Sequence, residues 1–385
     1  MPWKVSHPMT ERMLFVTRLA KGERMTELCR EFGISRKTGY KFWKRFERHG
    51  VEALRDESRA PARVARKTSE AIEQLLLEAR KAHSSWGGKK LKDVLEREQP
   101  GLKLPAVSTI AAILKRAGLV SGRKYRRRPA IAGAGALTAA QEPNHVWAAD
   151  YKGQFRLGNR EYCYPLTASD LFSRFVLAIE GLDGTDEEQA RAVFEDIFRK
   201  YGLPLVLRTD NGPPFASQGL AGLTRLSAWW LRLGVRHERI APGHPEQNGQ
   251  HERMHRTLKA ETTRPARANV MQQQERFDEF RNEFNEKRPH EAIDMKRPAD
   301  VYRPSPRPAP AELPELHYPL HDDTLVVTRC GHLRLPRGRM VFLSRALALE
   351  PVGLREQDDG RWLVTFMTLD LGNYDPRSGA FEPSV

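Results

Sequence analysis

Two aspartates stand at the ends of apolar, strand-like runs, where a side chain is free to take part in chemistry. Asp150 follows the run VWAA, and Asp210 follows VLRT and precedes the chain-breaking letters NGPP. The ends of neighbouring strands bring together residues that are distant in sequence, so these two carboxylates can converge. A hard divalent cation needs several carboxylate oxygens and open positions for phosphate and water. The pattern therefore predicts a metal site that one further carboxylate completes.

The third carboxylate is expected in the segment PGHPEQNGQHERMHRTLKAE, which begins as a loop and continues as a helix. Glu252, Arg256 and Lys259 recur at i, i+4 and i+7 and share one helix face, so a carboxylate and two phosphate-binding cations would lie side by side. Taken alone, Glu252 with Arg256 could equally be a surface ion pair. Asn248, in the loop, is either a DNA contact or a solvated residue.

The same helix carries a competing motif. His251-Glu252-Arg253-Met254-His255 reads H-E-x-x-H, in which two histidines bind zinc and Glu252 is the general base of a peptidase. Charged Arg253 stands where peptidases usually keep an uncharged residue. The extended motif H-E-x-x-H-x-x-G-x-x-H is absent, since its glycine position is Leu258 and its third histidine position is Glu261.

Taken together and in order, WAADYKG, RTDNGPPF and PGHPEQNGQHERMHRTLK resemble the D,D,E catalytic core of retroviral integrases and of the insertion-sequence transposases related to them. The segment NEKRPHEAI, residues 285–293, is similar to the stretch that follows this core in the family. The resemblance covers residues 10–302 well and the remainder moderately. It implies an RNase H-like fold, with Asp150, Asp210 and Glu252 as the ligands of two Mg²⁺ (or Mn²⁺) ions.

The resemblance also implies a function. A transposase of this kind binds double-stranded DNA at the ends of a mobile element, hydrolyses a phosphodiester bond there and joins the 3′-hydroxyl to target DNA. Because two ends are joined, we expect a homo-oligomer of at least two subunits. The alternatives are a phage-type or domesticated integrase-core protein that only binds DNA and, on the motif above, a zinc metallopeptidase.

The elements that must position these residues follow from hydrophobic periodicity. From residue 146 the order β-β-β-α-β-α-β-α-α predicts a mixed sheet covered by helices, with helices over about 186–201, 247–261 and 270–286. Trp229 and Trp230 are expected in the core, and Asp170 is expected to cap a turn rather than bind metal.

The N-terminal segment MTELCREFGISRKTGYKFWKRF, residues 25–46, predicts a helix-turn-helix. Gly33 supplies the turn, Ser35 caps the second helix, and Cys29 takes a small buried position. Gly39 is expected to weaken the second helix and to leave the core without a side chain. The DNA-facing ladder consists of Arg36, Lys37, Lys41 and Lys44; an ordinary αα-hairpin is the alternative.

Composition and charge divide the chain into parts. Residues 1–140 hold 31 basic and 14 acidic residues, a formal charge of +17, whereas residues 141–385 sum to −2. This asymmetry indicates a nucleic-acid-binding arm on a second functional unit. The predicted parts are a helix-turn-helix domain (1–62), a second helical, helix-turn-helix-like domain (63–120), a linker (121–143), the catalytic core (144–302), a Pro-rich linker (303–321) and a small all-β barrel (322–385).

The sequence also argues against several classes of protein. The three cysteines are far apart, which argues against a disulfide framework or a CxxC zinc site. The sequence contains no apolar run of about 18 residues and no secretory h-region near its start, so we expect no membrane partner. A cytoplasmic protein associated with the bacterial nucleoid is the expectation.

Overall fold

The computed structural model describes residues 8–56, 68–120, 137–335 and 339–384 of the 385-residue chain. The chain divides into two compact units, Met1–Thr68 and Ser69–Val385. Most of the predicted linker, residues 121–136, lies outside the described residues, and the finer domain boundaries stay predictions. Within the described ranges, no helix is both long and apolar enough to span a bilayer.

The first unit is a three-helix arrangement: α1 (Pro8–Ala20), α2 (Met25–Glu31) and α3 (Arg36–His49), followed by a 3₁₀ turn, Val51–Leu54. Ser35 caps α3 as predicted, because its hydroxyl accepts a hydrogen bond from the Thr38 N–H at 3.2 Å. Gly33 makes the turn in the left-handed region, at φ +64°. Phe15, Leu28 and Cys29 are buried where the helices meet.

Gly39 corrects one expectation. It is buried in α3, and a Cβ added there would lie 2.6 Å from Cys29 Sγ and 2.9 Å from Met25 Sδ. The missing side chain therefore does not leave a gap in the core. It lets α2 and α3 approach each other more closely than any larger residue would allow.

A second helical bundle opens the other unit: α4 (Glu70–Ala82), α5 (Gly88–Glu98) and α6 (Val107–Arg116). Leu76, Trp86 and Ile110 are buried at its centre. The bundle packs against the chain after residue 282, where His83 Nδ1 lies 2.7 Å from Glu283 Oε1 and Lys89 Nζ lies 2.9 Å from Glu291 Oε2.

The central sheet is mixed, as predicted. Its strands are β1 (Val146–Tyr151), β2 (Phe155–Arg156), β3 (Tyr162–Asp170), β4 (Val176–Leu182), β5 (Val206–Thr209) and β6 (Arg236–Arg239). The order is β2-β3-β1-β5-β6, with β4 also paired to β3. Pairing is antiparallel from β1 to β3 and parallel from β1 to β5 and from β5 to β6.

Helices cover this sheet: α7 (Glu187–Tyr201), α8 (Arg225–Arg232), α9 (Gly249–Thr262), α10 (Val270–Glu286) and the short α11 (Pro298–Val301). One core joins α7 and α8 to the sheet, and its aromatic members include Trp147, Phe194, Phe198 and Trp230. A second core joins α9 and α10 to the sheet through Ile179, Leu258 and Phe277. Trp229 and Trp230 are 8% and 0% exposed, which confirms their predicted core positions.

The C-terminal region is built from short strands: β7 (Asp323–Val326), β8 (His332–Arg334), β9 (Met340–Phe342), β10 (Pro351–Glu356), β11 (Trp362–Phe366), β12 (Leu369–Asp375) and β13 (Ala380–Pro383). Five form an antiparallel sheet in the order β13-β12-β11-β10-β7, and β8 pairs with β9. The described pairings run from one edge to the other, so the closed barrel stays a prediction.

Candidate active site

The two aspartates lie at one edge of the central sheet, on neighbouring parallel strands. Asp150 is the fifth residue of β1, after four fully buried residues, and Asp210 directly follows β5. Ala148 of β1 pairs with Arg208 of β5, so each aspartate stands two residues beyond this pair. The register therefore brings their backbones side by side.

The turn after β5 holds Asp210. Its Oδ1 accepts a hydrogen bond from the Gly212 N–H at 3.1 Å. A Cβ at residue 212 would lie 3.2 Å from Asp210 Oδ2, so a side chain there would crowd the carboxylate. The segment NGPP after Asp210 ends the strand, and its Gly212 also leaves room for the Asp210 carboxylate to accept a hydrogen bond from the turn.

Glu252 lies in the first turn of α9, with an exposed side chain. It lines a cleft of about 490 Å³ together with Asp150, and the basic side chains that share this lining are Lys152, Arg256, Lys259 and Arg264. Asp210 lies beside this cleft rather than in its lining. The predicted helix face with one carboxylate and two cations therefore borders the same space as the first aspartate.

The three carboxylates influence one another electrostatically. The pKa of Asp150 is raised to about 7, chiefly because burial disfavours the charged form and then because of the negative charge of Asp210, with a smaller effect from Glu252. Lys152 opposes these effects and lowers the same pKa. Asp210 and Glu252 are therefore each close enough to repel a negative charge on Asp150.

Their chemistry suits a hard divalent cation. Carboxylate oxygens are the ligands that Mg²⁺ prefers, and a bound cation would relieve the repulsion that raises the pKa of Asp150. Within the part of the chain that the structure describes, no three His, Cys, Asp or Glu side chains already surround one point. The donor set fits such an ion, but it is not pre-assembled around one.

Of the two H-E-x-x-H histidines, His251 faces the sheet rather than a metal site. His251 is 1% exposed, and both of its ring nitrogens are hydrogen-bonded: Nδ1 to Ser169 Oγ at 2.8 Å and Nε2 to Thr167 Oγ1 at 2.7 Å. No lone pair of this imidazole is left for a metal. Burial also lowers the pKa of His251 to about 3, as expected of a neutral core histidine. This geometry argues against the zinc-peptidase alternative.

Two basic residues of the cleft were missed by the sequence analysis. Lys152 lies two positions after Asp150, and this spacing at a strand end could have identified it. Arg264 follows α9 and is exposed, and nothing in the sequence pattern distinguished it from other arginines. With Arg256 and Lys259, they make the mouth of the cleft strongly basic.

Asn248 does not present the exposed side chain that a DNA contact requires. It is 4% exposed, and its Oδ1 has no hydrogen-bond partner among the described residues. The residue stands at the N-cap of α9, where the 3₁₀ turn Pro245–Asn248 runs into the helix. Asn248 is therefore an interior residue in this structure, and its predicted contact with DNA stays a prediction.

The predicted DNA-facing ladder of the first unit is exposed along α3. Arg36, Lys37, Lys41 and Lys44 are all exposed, whereas Gly39 faces inward. The basic side chains thus lie on the outer side of α3, as a recognition helix requires. Their contact with DNA stays a prediction.

Asp170 takes the structural role expected of it. It is 0% exposed and accepts hydrogen bonds from the Ser173 N–H and the Asn144 N–H, each at 2.7 Å, and from the Ser173 hydroxyl at 2.6 Å. Oδ1 is bonded within the β3–β4 turn, and Oδ2 accepts from the Asn144 N–H that precedes β1, so the prediction of a turn-capping residue is confirmed.

Sequence profiles of known protein families match the helical N-terminal regions and the region of the central sheet. The sequence profile described as an integrase core domain matches residues 140–245, and a second profile of the same description matches 233–298. A helix-turn-helix domain profile matches residues 11–62, and a homeodomain-like domain profile matches 38–114. The core therefore corresponds to the sheet and helices that carry Asp150, Asp210 and Glu252.

Similar proteins come from viruses and from a bacterial mobile element. The Gag-Pol polyprotein of Feline leukemia virus is 29% identical over 180 residues, 46% of this chain and 10% of the viral protein. An uncharacterized 39.2 kDa protein of insertion element IS476 from Xanthomonas euvesicatoria is 27% identical over 241 residues, 62% of this chain and 66% of that protein. The chain spans only about a tenth of the viral polyprotein.

Solved integrase structures resemble the chain in part. The HTLV-2 integrase catalytic core domain in complex with magnesium, in its trimeric form, aligns with a TM-score of 0.34 at 16% identity, covering 43% of this chain and 100% of that one. The simian T-cell lymphotropic virus intasome, in complex with PP2A regulatory subunit B56 gamma, aligns with a TM-score of 0.38 at 17% identity, covering 77% and 97%.

The profiles define the class: an integrase core preceded by helix-turn-helix domains. Among proteins of this class, the chain is also similar to a protein of a bacterial insertion element. The resemblance to insertion-sequence DDE transposases with an integrase-like core is therefore confirmed.

Proposed function

We propose that this chain is a transposase that binds the ends of a mobile DNA element, cleaves them by metal-dependent phosphodiester hydrolysis and joins the 3′-hydroxyl ends to target DNA. The observation that carries the proposal is that Asp210 and Glu252 both lie near enough to repel the charged form of Asp150, beside a cleft lined with basic side chains. Relatives that contain integrase cores support polynucleotidyl transfer as the class of reaction.

In this proposal Asp150, Asp210 and Glu252 hold two Mg²⁺ or Mn²⁺ ions. When bound, such ions activate the attacking water or 3′-hydroxyl and stabilise the leaving oxygen. Arg256 and Lys259 would neutralise phosphates of the strand that lies in the cleft. One set of side chains serves both hydrolysis and strand transfer, so both reactions depend on the same residues.

The DNA-binding parts complete the proposal. Helix α3 would read the element end in a major groove through its exposed basic side chains. Two or more copies would assemble on DNA, because two ends must be joined to one target. The protein would work on nucleoid DNA in the bacterial cytoplasm.

The deciding experiment measures hydrolysis of uncleaved labelled duplexes and strand transfer of pre-cleaved ones, both carrying the inverted repeats that flank the reading frame. Asp150→Asn, Asp210→Asn and Glu252→Gln each replace a charged ligand by a near-isosteric amide. We expect each to lower hydrolysis and strand transfer together by at least about a hundredfold, since metal activation supplies several kcal/mol. Binding of the duplex should persist in all three variants.

The matched control is Glu195→Gln on α7, where an exposed carboxylate pairs with Arg191 on the same helix. It should leave both reactions unchanged. Near-wild-type strand transfer by Asp150→Asn or Asp210→Asn would refute the three-carboxylate assignment. A wild-type chain that binds the duplex yet shows neither reaction in Mg²⁺ or Mn²⁺ would favour a DNA-binding protein without catalytic activity.

A further inference from the structure

Beneath the cleft, four buried polar side chains form a hydrogen-bonded chain that ends at Asp150. Ser169 Oγ bonds His251 Nδ1, and His251 Nε2 bonds Thr167 Oγ1 at 2.7 Å. The same Thr167 oxygen lies 2.6 Å from His255 Nε2 and 2.9 Å from the carbonyl oxygen of Asp150. All four side chains belong to buried residues, so no bulk water competes for these contacts.

The number of available protons fixes the direction of each bond. A threonine hydroxyl has one hydrogen and can accept two more bonds. The Asp150 carbonyl can only accept, so the Thr167 hydrogen points to it. Both imidazoles must therefore donate to Thr167 from Nε2–H. The Nδ1 of His251 then accepts from the Ser169 hydroxyl.

The remaining nitrogen, His255 Nδ1, faces the carboxylate. It lies 3.7 Å from Asp150 Oδ2, and the two side chains are 5% and 20% exposed. An Nδ1–H would make a hydrogen bond at about 2.8 Å to such a partner. The longer separation matches two electron-pair donors that face one another without a proton between them. His255 also lines the cleft that contains Glu252.

We propose that His255 Nδ1 is a nitrogen ligand of the metal site at Asp150, an inference that rests on the metal-dependent function proposed above. Two ligand bonds of about 2.0–2.2 Å can bridge the 3.7 Å between Nδ1 and Oδ2. Histidines that bind metals typically donate their other ring N–H to a fixed acceptor, which is the arrangement of His255 on Thr167.

The chemical consequence is a mixed site of carboxylate oxygens and one imidazole nitrogen. Imidazole favours transition metals over alkaline-earth ions, whereas a site made only of carboxylates suits Mg²⁺ or Ca²⁺. The site should therefore prefer Mn²⁺ to Ca²⁺ by more than a carboxylate site would. The H-E-x-x-H motif then combines an imidazole ligand, His255, with a positioning residue, His251, which also donates a hydrogen bond to Thr167.

The test uses Mn²⁺ as the probe on the full chain, with pulsed electron paramagnetic resonance to detect nitrogen bonded to the ion. The wild-type protein should show a directly coordinated ¹⁴N. His255→Asn should lose this signal and bind Mn²⁺ about tenfold or more weakly, with a smaller change for Ca²⁺. His317→Ala, an exposed histidine of the C-terminal region with a side chain 80% exposed, is the matched control and should retain the wild-type signal.

A measurement without substitutions guards against a variant that fails to fold. Nitrogen chemical shifts of ¹⁵N-labelled histidines in the metal-free wild-type chain should show the Nε2–H tautomer at His255 and His251. An Nδ1–H tautomer at His255 overturns the inference. The inference is also overturned if Asp150→Asn weakens Mn²⁺ binding but the ion bound to the wild-type chain has no coordinated nitrogen. If Asp150→Asn leaves Mn²⁺ affinity unchanged, the metal site of the proposed function fails instead.

Discussion

Gly39 sets the distance between α2 and α3 at a single position. Replacing it by alanine normally stabilises a helix by about 1 kcal/mol. Here the added methyl group would lie 2.6 Å from Cys29 Sγ, 2.9 Å from Met25 Sδ and 3.1 Å from Phe15 Cζ. Overpacking of this kind costs about 1–3 kcal/mol, so steric crowding should outweigh the gain in propensity.

We therefore expect Gly39→Ala to lower the free energy of unfolding of the first unit by about 1–2 kcal/mol. The measurement is urea denaturation of residues 1–68, the compact first unit. Cys29→Ala combined with Gly39→Ala should lose less stability than the two single changes added together, because the smaller residue 29 makes room for the methyl group. Simple additivity would show that the sulfur contact is not the cause.

For single residues, the sequence predicted the chemical role of a side chain better than the direction in which the side chain points. Asp150, Asp210 and Glu252 were recognisable because strand ends and a helix face imposed their positions. The same sequence could not show that His251 turns both ring nitrogens into the sheet, since its partners Thr167 and Ser169 lie more than 80 residues away. The burial of Asn248 was not predictable for a similar reason, because it depends on the packing around the start of α9.

Among the elements, the end of α10 is tied to two others by one arginine. Arg288 Nη1 lies 3.1 Å from Ser85 Oγ, in the turn between α4 and α5, and 3.4 Å from Glu261 Oε1 near the end of α9. Its guanidinium also stacks over Phe284, with its carbon 5.4 Å from the ring centroid. The ion pair is largely buried, with side chains 10% and 15% exposed.

Removing this arginine should weaken the junction of α4, α9 and α10. Arg288→Ala leaves the Glu261 carboxylate partly buried without its partner, and breaking such a pair costs about 3–5 kcal/mol. Arg288→Lys keeps the charge but loses the planar fork and the stacking, so an intermediate loss is expected. Thermal unfolding of the full chain, followed by circular dichroism, measures both.

The matched control for this junction is Arg297→Ala in the same segment. Arg297 pairs with Asp300 on the surface, with side chains 44% and 32% exposed, and such pairs contribute about 0–1 kcal/mol. Its unfolding midpoint should therefore stay near that of the wild type. Equal shifts for Arg297→Ala and Arg288→Ala would mean that burial of the pair does not matter.

Helices and strands with a clear hydrophobic periodicity were predictable from the sequence. Those whose residues are dictated by contacts with distant parts of the chain were not. The helix predicted over 270–286 has those bounds in the structure, because its phenylalanines recur on one face. Strand β10, PVGLRE, has a less regular pattern, because Pro351 and Gly353 interrupt its apolar residues. Gly353 is required there, since a Cβ would lie 2.5 Å from the Tyr318 ring, a contact made across 35 residues.

On the scale of the whole molecule, recognition of the element end and catalysis are expected to lie in different units. The first compact unit, residues 1–68, holds 17 basic and 8 acidic residues, a formal charge of +9. Four of its basic side chains stand exposed along α3. The carboxylates proposed for catalysis all belong to the second unit, so the two tasks should be separable by dividing the chain between residues 68 and 69.

Residues 1–68 alone should therefore bind duplex DNA, with log affinity falling against log salt by about 0.9 for each phosphate neutralised. Lys37→Ala should weaken binding to the element end more than to random duplex if α3 reads bases, and should reduce the salt slope by about one if it contacts only a phosphate. Glu47→Gln, an exposed acidic residue on the same helix, is the control and should leave the preference for the element end unchanged. Titration of fluorescent duplexes at several salt concentrations measures all three proteins. A first unit without affinity for DNA even at low salt would move recognition to residues 69–385 and contradict this division of tasks.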